Sequence, residues 1–218
     1  WREQGVESPY FKRWSESLPV VGGQSAPPSA EGGFVLRAFH GTDQDFTEFN
    51  SGAHARVPPG GRGIFVTADP AEAGRYAFQY SRRARAHIPR EGSSVLPIFV
   101  RFRRPLRTDK ALPADFLSAY QRLARARRVD ISEDLSGLKY VRPSEPSTMF
   151  GWFIGAAGGE RNETKSKLFN DALRESGYDG FIVFDDDNLD LIIEAKALDP
   201  TQVKSVNNRG TFDDSARL

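Results

Sequence analysis

Hydrophobic positions along the chain come in short blocks, and the period inside a block switches between two and about 3.6 residues, the signatures of strand and helix. Residues 34–39 read as a strand and run directly into His40-Gly41-Thr42. A polar stretch with Phe46 and Phe49 follows, and residues 50–63, rich in glycine and proline, predict a loop. Residues 63–67 give a second strand. The next helix has a defined start: Asp69 suits the N-cap, Pro70 the first helical position and Glu72 the third, a box-like arrangement. It is expected to run from Pro70 to about Arg83, with Ala73, Tyr76, Ala77 and Tyr80 on one face. Residues 95–102 predict a third strand and 111–128 a basic amphipathic helix, whereas 130–160 are poorly patterned and include a glycine-rich run ending at Gly159. A helix over 163–176 is stopped by Gly177, and strands follow over 180–184 and 189–198, with Pro200 behind. Near the start, residues 7–18 suit a short helix with Tyr10, Phe11 and Trp14 on one face, and 22–33 read as a loop.

Short strands interleaved with two or three helices fit α+β better than a doubly wound sheet. The expected division is a flanking segment and linker over 1–33 and a main domain over 34–218, within which 105–160 form a partly helical, basic insertion. At 218 residues the chain is long enough to bury a sizeable core. No run approaches the ~18 consecutive apolar residues of a membrane span. The start, Trp1-Arg2-Glu3-Gln4, lacks the apolar run of a signal peptide, and its missing Met suggests a piece of a longer polypeptide. With no cysteine, thiolate chemistry is excluded. His40, His54 and His87 lack metal-ligand spacing, so no metal is expected. The net charge of +1 hides an uneven spread: residues 82–142 hold 15 Lys/Arg against 6 Asp/Glu, while Asp185, Asp186, Asp187 and Asp190 cluster. The basic tract reads either as a surface for nucleic acid or another acidic partner, or as a solvated face. No glycine-rich dinucleotide or P-loop signature opens a helix.

Three places carry candidate chemistry. A histidine at a strand end, as in His40-Gly41-Thr42, can aim its imidazole into a cleft, and Gly41 lets a ligand approach the backbone. Tyr76, on the helix after the strand that contains Phe65, can stack on a planar heterocycle. Glu194 interrupts the apolar run Leu191-Ile192-Ile193, where an acid needs a partner or a task. Each alone has a plainer reading: a structural histidine, core aromatics, or an acid turned outward on a strand face shared with Lys196.

Together and in this order they resemble the His-Tyr-Glu ADP-ribosyltransferases, the group of diphtheria toxin and the poly(ADP-ribose) polymerases. The likeness is closer to the modules of phage polyvalent proteins and bacterial toxins. It rests on Ser8-Pro9-Tyr10-Phe11-Lys12-Arg13-Trp14, on Phe39-His40-Gly41-Thr42 with Phe46 and Phe49, on the spacing from Gly63 to Tyr76, and on Glu194 followed by Asp199-Pro200-Thr201-Gln202-Val203-Lys204-Ser205 and Asn208-Arg209-Gly210-Thr211-Phe212. It spans most of the chain outside 105–160. The resemblance implies a split mixed/antiparallel β core with flanking helices around an NAD cleft, and NAD+ as substrate with no metal. By the same resemblance His40, Tyr76 and Glu194 are catalytic, and His40, Gly41, Thr42, Phe65 and Tyr76 bind NAD+. His40 would bond the adenosine-side ribose, Gly41 the carboxamide, Phe65 and Tyr76 the nicotinamide ring, and Glu194 a hydroxyl of the nicotinamide ribose.

The implied activity is mono-ADP-ribosylation of a macromolecular acceptor, protein or RNA, by a toxin, effector or phage-encoded module. Delivery into a target-cell cytosol and an immunity or carrier protein as partner go with that role. Phe65 stands where the polymerases have tyrosine, and Ala73 where they have an amide-binding serine. Ile192 replaces the Glu or Gln that precedes the catalytic acid in arginine-specific transferases, which argues against an arginine acceptor. Two alternatives stay open: an NAD-dependent RNA 2′-phosphotransferase-like enzyme, or a catalytically degenerate binding module on the same scaffold.

Overall fold

A computed structural model describes residues 4–22, 32–43, 45–49, 62–81, 86–88, 91–157, 162–208, 212–213 and 215. Most of the loops expected at 22–33 and 50–63 lie outside these residues, as do His54, Arg82, Arg83, Arg85 and Gly159. The N-terminal helix α1 (Pro9–Trp14) is capped by Ser8, whose side chain accepts from the Phe11 amide. It buries Phe11 and Trp14 but leaves Tyr10 exposed. Among the described residues ten strands and five further helices follow: β1 (Val20–Gly22), β2 (Phe34–Thr42), β3 (Ile64–Thr67), α2 (Pro70–Ala77), β4 (Gln79–Ser81), β5 (Ala86–Ile88), β6 (Ser94–Phe102), β7 (Pro105–Arg107), α3 (Ala114–Arg127), α4 (Ser132–Gly137), α5 (Pro146–Ala156), α6 (Glu163–Glu175), β8 (Gly180–Phe184), β9 (Ile192–Ala197) and β10 (Val203–Ser205).

Eight strands form one mixed sheet in the order β10-β6-β2-β3-β9-β8-β7, with β1 on β2; β4 and β5 pair antiparallel in a separate two-stranded sheet. Strand β2 organises the sheet. Along one edge it pairs antiparallel with β6 from Phe34↔Phe102 to Thr42↔Ser94. Its other edge is shared: β1 runs parallel to Val35, Leu36 and Arg37, and β3 meets it at the single registered pair Phe39↔Thr67. The sheet is therefore split at the β2–β3 seam.

One face of the sheet curls on itself. Leu36, Ala38, Ile98 and Val100 from one side of the seam pack with Val66, Ile182, Phe184 and Ala195 from the other. On the opposite face of β7, β8 and β9, helices α3, α5 and α6 close a second core around Phe116, Tyr120, Phe153, Phe169 and Phe181. A third cluster covers the outer side of β2 and β6, where Phe11 and Trp14 meet Val35, Phe99 and Phe212. The segment before residue 33 thus supplies both a helix and a strand to the body of the protein. The fold is α+β, with a curled, mixed sheet and flanking helices.

Three elements differ from the sequence expectation. Helix α2 ends at Ala77, not near Arg83; Phe78 is extended and the chain continues into β4, which pairs with β5, so Tyr80 is on a strand. Aromatic Phe78 and Tyr80 favour that extended state. The poorly patterned stretch contains α4 and α5. Helix α5 buries Met149, Trp152, Phe153 and Ala156 and has almost no polar face, so it shows no amphipathic period. Strand β9 starts only at Ile192, because Asp185 accepts from the Asp187 and Asn188 amides and holds the preceding residues in a turn.

Candidate active site

The site is built from the seam outward. Beyond Phe39↔Thr67 no further registered pair joins β2 to β3 among the described residues. There the side chain of His40 replaces the ladder: its Nδ1 donates to the carbonyl oxygen of Phe65 at 2.8 Å. A carbonyl only accepts, so Nδ1 carries a proton, and in the neutral ring Nε2 is the acceptor nitrogen. Phe46 and Phe49 set their rings edge-on to the imidazole, with centroids 6.1 and 5.3 Å away. Next in the strand, Gly41 lies under α2 so closely that a Cβ there would come within 1.8 Å of the Ala73 carbonyl oxygen. Glycine is required at this crossing. Ala73, at the position where the polymerases have an amide-binding serine, is fully buried in the same contact. Thr42, half-exposed, ends the strand.

Helix α2 begins where Asp69 accepts from the Ala71 amide and Pro70 takes the first turn. Ala73, Gly74 and Ala77 are its buried residues, and Tyr76 emerges beside them, 63% exposed. The Tyr76 hydroxyl lies close enough to the Glu194 carboxyl for each to shift the other's titration.

A β-bulge delivers Glu194. Val183 pairs with Glu194 and Phe184 with Ile192, so Ile193 is the extra residue. Without it, Ile192 and Glu194 would share a face. With it, Ile192 enters the curled core and Glu194 comes to the opposite face. Thr67 stabilises this kink: its Oγ1 donates to the Ile193 carbonyl at 2.7 Å and accepts from the Asp69 amide at 3.2 Å. The rung Phe39–Thr67–Glu194–Val183 therefore links His40's strand to Glu194 across one intervening strand, about 10 Å between backbones. Burial pushes the Glu194 carboxyl up, and the Glu72 carboxylate adds to the effect. The Tyr76 hydroxyl and Lys196 pull the other way, leaving it at about 7. Burial around the hydroxyl, with the Glu194 charge second, raises the Tyr76 phenol above its usual value.

His40, Gly41, Phe65, Tyr76 and Glu194 are thus gathered along one seam. Phe65 is half-buried, on the same sheet face as Glu194, with its ring 6.1 Å from that of Phe181. Lys196 does not lie outward beside Glu194: it is fully buried. The places of Thr67 and Glu72 at the site escaped the sequence reading, which gave Glu72 only a capping role; it instead pairs with Arg75, while Asp69 accepts from the Ala71 amide. A threonine two residues before a helix cap was the only local signal for Thr67, and the role of Glu72 depends on strand β9, far away in the chain. Asp199 and Gln202 cap a short turn on each other, and Gln202 also donates to the Arg101 carbonyl, so their work is structural. Two surface hollows lie on the helical side, against Leu112 and Val141 and against Arg125 and Arg128, away from the seam. Much of the basic tract is neutralised locally: Arg104 faces Asp115, Arg107 Asp109, Arg122 Glu175 and Arg127 Asp171. Among the described residues no group of acids and histidines is arranged to hold a metal ion, and no helix is long and apolar enough to cross a membrane.

No curated protein and no solved structure matches the chain. A family model does, over residues 30–212, and it is described as ADP-ribosyltransferase in polyvalent proteins. That span takes in β2, α2 and β9 with every residue gathered at the seam, and the chain belongs to this family of ADP-ribosyltransferases.

Proposed function

We propose that the protein is an NAD+-dependent mono-ADP-ribosyltransferase acting on a macromolecular acceptor, protein or RNA. The observation that carries this reading is the bulge at Ile193, which turns Glu194 out of the curled core and onto the seam beside Tyr76. In the proposed arrangement Nε2 of His40 accepts from a hydroxyl of the adenosine-side ribose. The backbone of Gly41, past the last registered β2–β3 pair, takes the carboxamide, and Thr42 adds a hydroxyl at the strand end. The exposed Tyr76 ring stacks on nicotinamide, with Phe65 as the opposing wall.

Breaking the bond between nicotinamide and its ribose releases nicotinamide with the bonding electron pair and builds positive charge on the sugar. The Glu194 carboxylate, accepting from a ribose hydroxyl, stabilises that oxocarbenium-like transition state. The acceptor's nucleophile then bonds to the anomeric carbon, and Glu194 can take its proton. Nicotinamide is a good leaving group, so no general acid is needed. The role of toxin, effector or phage-borne module, delivered to a target-cell cytosol and paired with an immunity or carrier protein, fits a transferase of this kind. The 2′-phosphotransferase alternative needs several arginines for an RNA phosphate, and the local pairing of Arg104, Arg107, Arg122 and Arg127 weakens it.

The test is Glu194→Gln. Nicotinamide release from NAD+ should fall by about 100-fold or more in kcat, while NAD+ affinity by calorimetry changes little, because the contact matters mainly in the transition state. Undiminished turnover would remove Glu194 from the mechanism. Mass spectrometry of lysate macromolecules after reaction with NAD+ identifies the acceptor class, and a total lack of nicotinamide release by the unsubstituted protein would favour the degenerate binding module.

A further inference from the structure

Two residues past Glu194, strand β9 buries a lysine completely. The Nζ of Lys196 donates to Oδ1 of Asn170 on α6 at 2.9 Å. It also lies 4.8, 5.5 and 5.7 Å from the ring centres of Phe181, Phe169 and Phe65. The side-chain stem packs under Gly63, where a Cβ would come within 2.8 Å of Lys196 Cγ and Cδ. Asn170 in turn donates to the Arg62 carbonyl at 2.6 Å, so the same network holds the start of β3.

Lys196 pairs with Phe65 on one side and Phe181 on the other. That rung carries side chains to the same sheet face as the Thr67–Glu194–Val183 rung, about 7 Å along the strand. An ammonium taken out of water is costly, and an apolar side chain of similar length would fill this aromatic box at less cost. The charge therefore calls for a task.

We propose that Lys196 is a positioning residue for the transfer reaction: its boxed cation electrostatically favours the carboxylate form of Glu194 and locks the strand bearing Glu194 to the Phe65 wall. The reaction in which Glu194 serves is the one proposed above; the electrostatic pairing is independent of it. The charged and titratable groups around Glu194 are Glu72 and Tyr76 from α2 and Lys196 from its own strand; Thr67 of β3 and Val183 of β8 do not titrate. Around Lys196, Arg174 is a further charged group. Burial pushes the lysine down to about 7, Arg174 adds to that, and Glu194 counters it. Near neutrality each group is therefore only partly charged, and each favours the charged form of the other. As pH falls below 7 the lysine gains charge and holds Glu194 ionised to lower pH than burial alone would permit.

Lys196→Met removes the charge and keeps the volume, while Lys196→Gln removes the charge and keeps a donor for Asn170; either serves if the other fails to fold. Lys196→Arg keeps the charge. Two readouts are compared with the unsubstituted protein: the titration midpoint of the Glu194 carboxyl by 13C NMR, assigned with Glu194→Gln, and the pH profile of NAD+ hydrolysis. In both neutral variants the midpoint and the acid limb should move up by roughly half a pH unit, and Lys196→Arg should return them toward the original. A folded Met or Gln variant whose Glu194 midpoint is unmoved overturns the proposal, even if its melting temperature has changed. If the unsubstituted protein hydrolyses no NAD+, the NMR midpoint still decides the role of Lys196, and only the proposed function falls.

Discussion

In the proposed reaction Glu194 meets two opposed demands: the chemistry would use an ionised carboxylate on the seam, while folding desolvates it. Its carboxyl ordinarily titrates at 4.5 and stands at about 7 in the fold. Between those values the folded chain holds the proton more tightly than the unfolded chain. Stability therefore falls as pH rises through that window and stays reduced above it. Glu194→Gln, which needs no charge, should be more stable than the parent at pH 8 by about 1–3 kcal/mol, and the difference should vanish near pH 4. Denaturant melts at both pH values check this, and equal midpoints at pH 8 would mean that the carboxyl carries no burial penalty. That an acid in an apolar run needs a partner or a task was legible from residue type alone. That Lys196 is buried beside it was not, since alternation along a strand says which residues share a face but not whether another layer covers that face.

At the scale of elements, the site depends on how α2 crosses β2. The helix start was legible because a cap is local chemistry: Asp69 and Pro70 announce it. Where the helix stops is decided by the β4–β5 pairing beyond it. Gly41 sits at the crossing, and Gly41→Ala places a methyl against the Ala73 carbonyl. Backbone cannot yield as a side-chain tip would, so α2 has to move and Tyr76 with it. The expected outcome is a loss of about 1–3 kcal/mol or more together with weaker NAD+ binding, read by thermal melts and calorimetry. Unchanged stability would mean that the helix does not rest on β2 here. The bulge at Ile193 was invisible in Leu191-Ile192-Ile193, because a run of uniformly apolar residues fits either face.

Over the whole molecule, the ends of the described chain are brought together. Phe11 packs edge-on against Phe99 and Phe212, with ring centres 5.0 and 5.2 Å away. Trp14 donates its indole N–H to the Thr201 carbonyl at 3.0 Å. Lys204, fully buried, donates to the Ser215 carbonyl at 2.6 Å. A detachable leader would tolerate loss of these contacts. Phe11→Ala should instead destabilise the protein by about 3–5 kcal/mol in denaturant melts of the intact chain, and a near-zero effect would show that the N-terminal helix is an accessory.

The sequence by itself determined the strands β2, β3, β6, β8 and β9, the starts of α2 and α6, the His40-Gly41-Thr42 motif at a strand end and the family, because each depends on period, capping or spacing within a few residues. Tertiary structure alone decided which face Glu194 occupies, that Lys196 is enclosed by three rings from β3, α6 and β8, and that arginines of the basic tract meet acids from other segments. Those outcomes depend on which distant segments pair, and a pairing distributes charge and burial between partners that share no local pattern.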